Sequence, residues 1–440
     1  MTTKNSPIYV GELFAGVGGF RLGFERASSR FSTVFSSQWE PPGTDRKQFA
    51  SRCYVNVFGD EGHHNQDIAK SLDLIERGEL KLPRLDLLCG GFPCQDYSVA
   101  KPLNQSEGLR GKKGVLWWQI HRMVDMYVQK KKPIKWLVLE NVDRLLTSPA
   151  QQRGRDFAVM LASLAELGYV VEWRVVNAAD YGRAQKRRRV FIVAYRKRIP
   201  IKAAESLILR DGVLAKAFPV DIKESETRNF STFSLAGPVH EISQSFGKGM
   251  VNSPFANAGV IIGRQVWTIS AIPEKTTKRL TLGDAIARTE VVDASLFLRR
   301  EEVPKWEFLK GAKSEPRINK ASGVGYHYKE GALPFPDPLD APARTILTGE
   351  WGSSPSRTRH IIHDPKLFKN LEEKERTQLD ARALRRLTVE ELEFLNDFPV
   401  AHTHGPKGNP LTHRERAFCM GNALVVGLVE RIGREIESRL

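Results

Sequence analysis

The strongest constraint on this 440-residue chain is a repeated alternation, through residue 195, of short β-branched runs with helix-period stretches. Strand-like runs at 8–14, 33–37, 85–89, 134–139, 170–176 and 190–194 are separated by helix-like ones at 19–27, 46–57, 115–129 and 156–167. Strands that alternate with helices pair in parallel, each helix crossing over one face of the sheet. The pattern predicts a doubly wound α/β domain whose ligands bind at the carboxyl ends of the strands. Past Tyr195 the rhythm stops. Scattered glycines and prolines and short pieces such as 259–269 then read as a second, smaller, β-rich domain. Helical signals return at 387–395, where Thr388 and Glu391 have the spacing of an N-terminal capping box, and again from 424 to the end.

Charge and cysteine usage narrow the function classes. The chain carries 67 Lys and Arg against 51 Asp and Glu, a formal net charge of +16. That balance suits a polyanion, although ribosomal and lipid-surface proteins share it. Runs such as 130–132 and 186–189 concentrate the surplus in the first domain. No stretch approaches the ~20 apolar residues of a membrane span, and residues 1–7 lack the apolar run of a signal peptide. These features predict a cytoplasmic, nucleoid-associated protein with no membrane partner. Cys53, Cys89, Cys94 and Cys419 form no C-x-x-C pair, which predicts reduced thiols, one of them a possible nucleophile. His402, His404 and His413 lack cysteine partners in ligand spacing and read as solvated or loop-capping residues, so no metal is expected.

The chemistry-bearing residues fall where strands end. Phe14-Ala15-Gly16-Val17-Gly18-Gly19 is a glycine-rich turn from strand to helix, suited either to close approach of a nucleotide-like ligand or simply to helix–strand packing. The dinucleotide fingerprint would require glycine at position 21, which is Arg21, and this disfavours a dehydrogenase. Gln38-Trp39-Glu40 and Asp67-Ile68 end the next runs; Trp39 reads equally as an adenine platform or a core lid. Gly91-Phe92-Pro93-Cys94-Gln95 follows an apolar strand, so Cys94 sits in a turn at the ligand edge, whereas Cys89 reads as a small buried hydrophobe. Glu140-Asn141-Val142 ends another strand, and Gln185-Lys186-Arg187-Arg188-Arg189 leads into the last. With a period of two, Arg187 and Arg189 share a face that can contact a phosphate or hold the cysteine loop.

Phe14-Ala15-Gly16-x-Gly18-Gly19, Pro93-Cys94-Gln95, Glu140-Asn141-Val142, Gln185-x-Arg187-x-Arg189, Arg385-x-Leu387-Thr388 and Gly421-Asn422-Ala423 occur in this order. The series resembles the motif order of the DNA (cytosine-5)-methyltransferases of bacterial restriction-modification type. The resemblance covers the first 195 residues and the last 60 or so, leaving the middle as the family's variable target-recognition region. It implies a Rossmann-like S-adenosylmethionine-dependent methyltransferase domain at 1–200, a target-recognition domain at 201–411 with a hinge motif at 385–399, and a helical segment at 412–440 returning to the first domain. Implied catalytic residues are Cys94 as nucleophile, Glu140 at N3 of the base, Arg187 and Arg189 as orienting cations, and Gln95. Implied cofactor residues are Phe14, Gly16, Gly18, Gly19, Gln38, Trp39, Glu40, Asp67, Ile68, Pro93, Asn422 and Ala423. Implied DNA contacts are Ser98, Arg110, Lys113 and Gln185, with base readers in 353–360 or 275–279. S-adenosylhomocysteine is the implied product, and the implied partners are double-stranded DNA and a cognate restriction endonuclease that shares the DNA site with a monomeric enzyme.

Two positions depart from the family pattern. Gln38 stands where an acidic residue is usual, leaving the cofactor ribose to Gln38 or Glu40, and Lys113-Gly114 replaces an Arg-Gly pair. The basic, glycine-containing segment 96–114 suits a lid closing over DNA. Two other readings use the same residues. A tRNA cytosine methyltransferase shares the thiol-and-carboxyl chemistry but has a short insert, and a catalytically dead DNA-binding regulator would not need Cys94, Glu140 and Arg187 intact.

Overall fold

The computed structural model describes residues 6–41, 48–92, 116–274, 276–318 and 323–440. The chain forms two compact units: residues 1–181, 188–277 and 425–440 in the first, and 182–187 and 278–424 in the second.

The first unit is an α/β layer structure. Its strands are β1 (Ile8–Leu13), β2 (Phe31–Ser37), β3 (His63–His64), β4 (Leu87–Gly91), β5 (Trp136–Asn141), β6 (Val170–Asn177), β7 (Arg188–Tyr195), β8 (Ser231–Ser234), β9 (Ala258–Ile262) and β10 (Gln265–Ile269). They form one sheet in the order β3-β2-β1-β4-β5-β7-β6-β9-β10-β8. From β3 to β5 the pairing is parallel; β7 runs antiparallel to both β5 and β6, and β9 antiparallel to β6. The sheet is therefore mixed, where the alternation of elements predicts a parallel one.

Helices α1 (Gly19–Ala27), α2 (Phe49–Phe58), α3 (Ile68–Glu76), α4 (Leu116–Gln129) and α5 (Arg155–Glu166) follow the strands. Apolar residues at every second position, Leu137 and Leu139 on β5 and Val190, Ile192 and Ala194 on β7, join Ile68, Leu72, Trp117, Ile120, Val124, Phe157 and Leu161 in one buried cluster. The alternate residues Val138, Phe191 and Val193 are equally buried, and the Phe191 ring packs on Phe218 with centroids 5.9 Å apart. Both faces of the central strands are thus covered, which explains why they read as unbroken apolar runs. The C-terminal helix Val426–Glu437 lies against α1, where a side chain at Gly23 would come 2.6 Å from Val429.

Residues 201–277 belong to the first unit, although a domain boundary is expected at 200. The reason is sheet pairing. β9 adds to the free edge of β6, and β10 and β8 continue from it. The 259–269 piece, read from sequence as part of the second domain, is this hairpin.

The second unit is less β-rich than expected. Among its described residues are the ribbon of β11 (Lys313–Ile318) and β12 (Gly325–Glu330), the two-residue pair β13 (Ile362–His363) and β14 (Leu384–Arg385), and short helices. Two small apolar clusters hold it, one around Trp306, Ile361 and Leu384, the other around Phe297, Leu367 and Leu379. Between them Arg385 is fully buried; its Nε lies 2.8 Å from Asp364 and its Nη2 2.7 Å from Glu391. Glu391 also closes the capping box with Thr388 at the start of helix Val389–Leu395. The R-x-L-T motif is thus a buried ion-paired joint.

Gly259 on β9 tests the sheet assignment. A Cβ there would fall onto the Trp173 indole of β6 and the Trp267 carbonyl of β10. Gly259→Ala should lower stability by about 1–3 kcal/mol through overpacking, read as a lower unfolding temperature. A variant that melts with the parent would contradict the β6–β9 pairing.

Candidate active site

Because β1, β2, β4 and β5 are parallel, their carboxyl ends share one edge of the first unit's sheet. At the end of β1, Phe14 (φ 54°), Gly16 (φ 56°) and Gly18 (φ 83°) all adopt left-handed backbone. Phe14 carries the strain such a conformation costs a non-glycine residue. Gly18 is required because a Cβ would run into the Phe58 ring, whereas a Cβ at Gly16 would meet nothing within 4 Å. Ala15 N donates to Ser37 O (3.0 Å) and Gly16 N to Gln38 Oε1 (2.8 Å), tying the loop to the end of β2. Gly19 opens α1.

Beneath this loop lies a polar network that the sequence reading missed. Glu12, fully buried on β1, accepts from Tyr54 Oη (3.1 Å) and Arg21 N (3.4 Å). Burial pushes its carboxyl up to about 7, partly offset by those donors and by the Arg21 charge. Tyr54 stacks on His63 with centroids 4.6 Å apart. His63 is held between Ser36 Oγ at Nδ1 and Ser51 Oγ at Nε2, both 2.8 Å. Burial lowers its pKa to about 4, so it is neutral at pH 7 and donates through one ring nitrogen while accepting through the other. The available signal was a carboxylate inside an apolar strand, two residues before the loop.

Of the other expected cofactor residues, Trp39 is half-buried and Glu40 buried, with the Glu40 backbone clasped by the Gln48 amide: Glu40 N donates to Gln48 Oε1 (2.9 Å) and Gln48 Nε2 to Glu40 O (2.5 Å). Asp67 N-caps α3, accepting from Ala69 N at 3.0 Å, and Ile68 is buried in the sheet–helix cluster. Asn422 ends helix His413–Asn422 and Ala423 is its C-cap, both in the second unit. Pro93, Cys94, Gln95, Ser98, Arg110, Lys113 and the whole of 96–114 lie outside the described residues.

At the end of β5, Glu140 meets Arg189. The register pairs Glu140 with Phe191, and Arg189, two residues earlier on β7, shares the face of Phe191. The result is an ion pair of Arg189 Nε with Glu140 Oε1 at 2.9 Å. Arg188 points away and pairs with Asp143 at 3.0 Å. Asn141 Nδ2 donates to Phe92 O (3.0 Å), fixing the end of β5 to the end of β4 directly before Pro93.

Arg187 and Gln185 are placed differently from expectation. Both belong to the second unit, where Arg187 is almost fully buried and donates to Ile346 O (3.1 Å) and Gly421 O (2.9 Å). Gln185, expected to touch DNA, is wholly buried. Its Nε2 donates to Leu395 O (3.1 Å) and Asn396 Oδ1 (2.9 Å), and its Oε1 accepts from Ile346 N (3.0 Å). A polar turn read as surface is a structural tie, because every hydrogen-bonding group of that amide must be matched once buried. Among the described residues no group of three or more His, Cys, Asp or Glu is placed to hold a metal, and no helix is long and apolar enough to cross a membrane.

The mixed sheet carries a glycine loop, a tryptophan and a buried carboxylate at the ends of β1 and β2 and a carboxylate–arginine pair at the end of β5, in an α/β architecture of the methyltransferase type. Residues 8–438 match the model of the C-5 cytosine-specific DNA methylases. The chain belongs to that family, and its activity is methylation of cytosine C5 in DNA. It is 43% identical over 438 residues to the type II methyltransferase M.Sau3AI of Staphylococcus aureus, covering 98% of this chain and 96% of that one. It is 31% identical over 191 residues to M.HhaI of Haemophilus parahaemolyticus, covering 43% and 50%. In fold it resembles a DNMT2 variant from Spodoptera frugiperda, with TM-score 0.55, 13% identity and coverage of 96% and 97%.

The buried Glu12 yields a pH test. Between pH 4.5 and about 7 the unfolded chain has lost this proton and the folded chain keeps it, so this group's contribution to stability falls as pH rises through that window. Glu12→Gln removes the dependence. The variant's unfolding temperature relative to the parent should therefore rise from pH 5 to pH 8; a difference independent of pH would contradict the assignment.

Proposed function

We propose that this enzyme binds S-adenosylmethionine at the β1–β2 edge and methylates a cytosine within a specific short double-stranded DNA sequence by covalent catalysis. The observation that carries the reading is the Glu140–Arg189 pair at the strand end beside β4, whose own end leads into Pro93-Cys94. The residues at the cofactor edge fit the group. The open side of Gly16 admits a ligand to the backbone, Trp39 offers an aromatic face, and Glu40 supplies a carboxylate for the ribose. Gln38, already bonded to Gly16, positions the loop. When bound, S-adenosylmethionine supplies the electrophilic methyl group and leaves as S-adenosylhomocysteine.

Cytosine C5 is a poor nucleophile while the ring is aromatic. Addition of the Cys94 thiolate to C6 breaks the aromaticity and makes C5 enamine-like. Glu140 hydrogen-bonds or protonates N3 and stabilises the negative charge pushed there, and Arg189 holds the Glu140 carboxyl in place. After methylation, loss of the C5 proton and expulsion of Cys94 restore the ring. These atoms are inaccessible in a stacked duplex, so the base is flipped out, at a cost of a few kcal/mol. Arg187 acts indirectly, from the carbonyls it gathers in the second unit. The enzyme acts as a monomer in the cytoplasm and is the protective partner of a restriction endonuclease that shares its site.

Incubation with S-adenosylmethionine and unmethylated genomic DNA, followed by base-resolution mapping of 5-methylcytosine, should show one short motif methylated throughout. Scattered or absent methylation would refute sequence-specific action. Cys94→Ala should abolish methyl transfer. Glu140→Gln should slow it by about two orders of magnitude or more while duplex binding stays near the parent's, the scale of lost general acid–base catalysis; a parent-like rate would remove Glu140 from the mechanism.

A further inference from the structure

Among the described residues of the second unit, the β11–β12 ribbon has a face whose charged side chains are unengaged. In the β11–β12 ribbon, paired residues share a face and the faces alternate along each strand. Lys313, Glu315, Arg317, Tyr328 and Glu330 lie on one face. This face, called inward below, carries the ribbon's contacts with its own unit, although Glu315 and Arg317 on it are exposed: Lys313 Nζ sits 4.3 Å from the Phe308 ring centroid and Glu330 pairs with Arg357 at 3.4 Å, while within the ribbon Arg317 lies over Tyr328 at 3.7 Å. Ser314, Pro316, Ile318, His327 and Lys329 lie on the other. All five are exposed, Ile318 to 71%, and the side chains of His327 and Lys329 make no hydrogen bond or ion pair among the described residues. This outward face carries no carboxylate; both acids of the two strands, Glu315 and Glu330, are on the inward one.

Base readers are expected from 353–360 or 275–279, and in the first of these stretches the cationic side chains and the histidine are engaged within the second unit. Arg357 donates to Leu309 O (2.9 Å), Gly311 O (2.8 Å) and Gly331 O. Arg359 donates to Gly349 O and Gly352 O, both 2.7 Å, and His360 is fully buried against Glu350 at 3.0 Å. The Arg357 bonds fall where the chain enters β11 and leaves β12, so this guanidinium clamps the root of the ribbon.

We propose that the outward face of the β11–β12 ribbon enters the major groove of the DNA substrate and is a specificity determinant, with Lys329 and His327 hydrogen-bonding base edges. The proposal rests on the reading above of sequence-specific duplex methylation. Two paired strands about 4.8 Å apart fit a groove about 12 Å wide, which admits a two-stranded ribbon. The Lys329 ammonium donates to guanine O6 and N7, the His327 ring donates or accepts, and exposed Ile318 suits a thymine methyl. A clamped root holds these groups in register with the bases, as a flexible loop would not.

The experiment compares the parent with Lys329→Ala, His327→Ala and the double variant. The readouts are methylation maps and kcat/KM on the parent's motif and on duplexes with one base pair changed. Each variant should lose discrimination at one or more positions, the preferred-to-altered ratio falling about 5- to 150-fold for a lost base contact. Binding of S-adenosylmethionine, measured by titration, should match the parent's and shows that the variants are folded. Parent-like ratios overturn the proposal, and so does an equal loss on all duplexes, which marks a phosphate contact only. If the parent itself methylates no specific motif, the underlying reading fails and the ribbon proposal with it, an outcome distinct from a specific parent whose ribbon variants keep their ratios.

Discussion

The reversal of one strand is the constraint on which the site depends. A parallel sheet brings only carboxyl ends to its ligand edge, so β1, β2, β4 and β5 can deliver loops that follow strands and nothing that precedes one. β7, inserted antiparallel between β5 and β6, brings its amino end to that same edge. The period of two then selects Arg189 for the face of Glu140 and sends Arg188 to Asp143. Were β7 parallel, Arg189 would lie a strand length away, about 20 Å for six residues, and Glu140 would lack its cation.

The same segment serves two bodies. Up to Arg187 the chain belongs to the second unit, and from Arg188 to the first. Gln185 and Arg187 gather Leu395, Asn396, Ile346 and Gly421, the ends of segments far apart in sequence. Burying a guanidinium is costly unless its donors find acceptors, and two backbone carbonyls take one bond from each Nη atom of Arg187. One motif thus organises the second unit with its first half and pairs with Glu140 and Asp143 in the first unit with its second.

Much of this was legible in the sequence, and the remainder was hidden for identifiable reasons. Apolar runs marked β4, β5 and β7 because both faces of those strands are covered, β1 was marked by its apolar residues around Glu12, and Thr388 with Glu391 marked a helix start through a local bond between near neighbours. The sheet membership of 258–269 was not legible, because a short hairpin pattern carries no record of the edge it joins, and only Gly259 under Trp173 hints at it. Gln185 and Arg357 misled for a related reason. A polar side chain in a turn reads as solvated, and its burial depends on acceptors supplied by residues far along the chain. The Glu12–Tyr54 contact likewise joins residues of two elements whose spacing is unremarkable.

On the proposed mechanism Glu140 and Arg189 act as one device at the reacting base. This is tested most directly by a double-mutant cycle on single-turnover methyl transfer, with the same duplex and saturating S-adenosylmethionine for the parent, Glu140→Gln, Arg189→Ala and the double variant. Residues that work as a unit are strongly non-additive. The double variant should be about as slow as the slower single one. Independent effects that multiply in the double variant would contradict it.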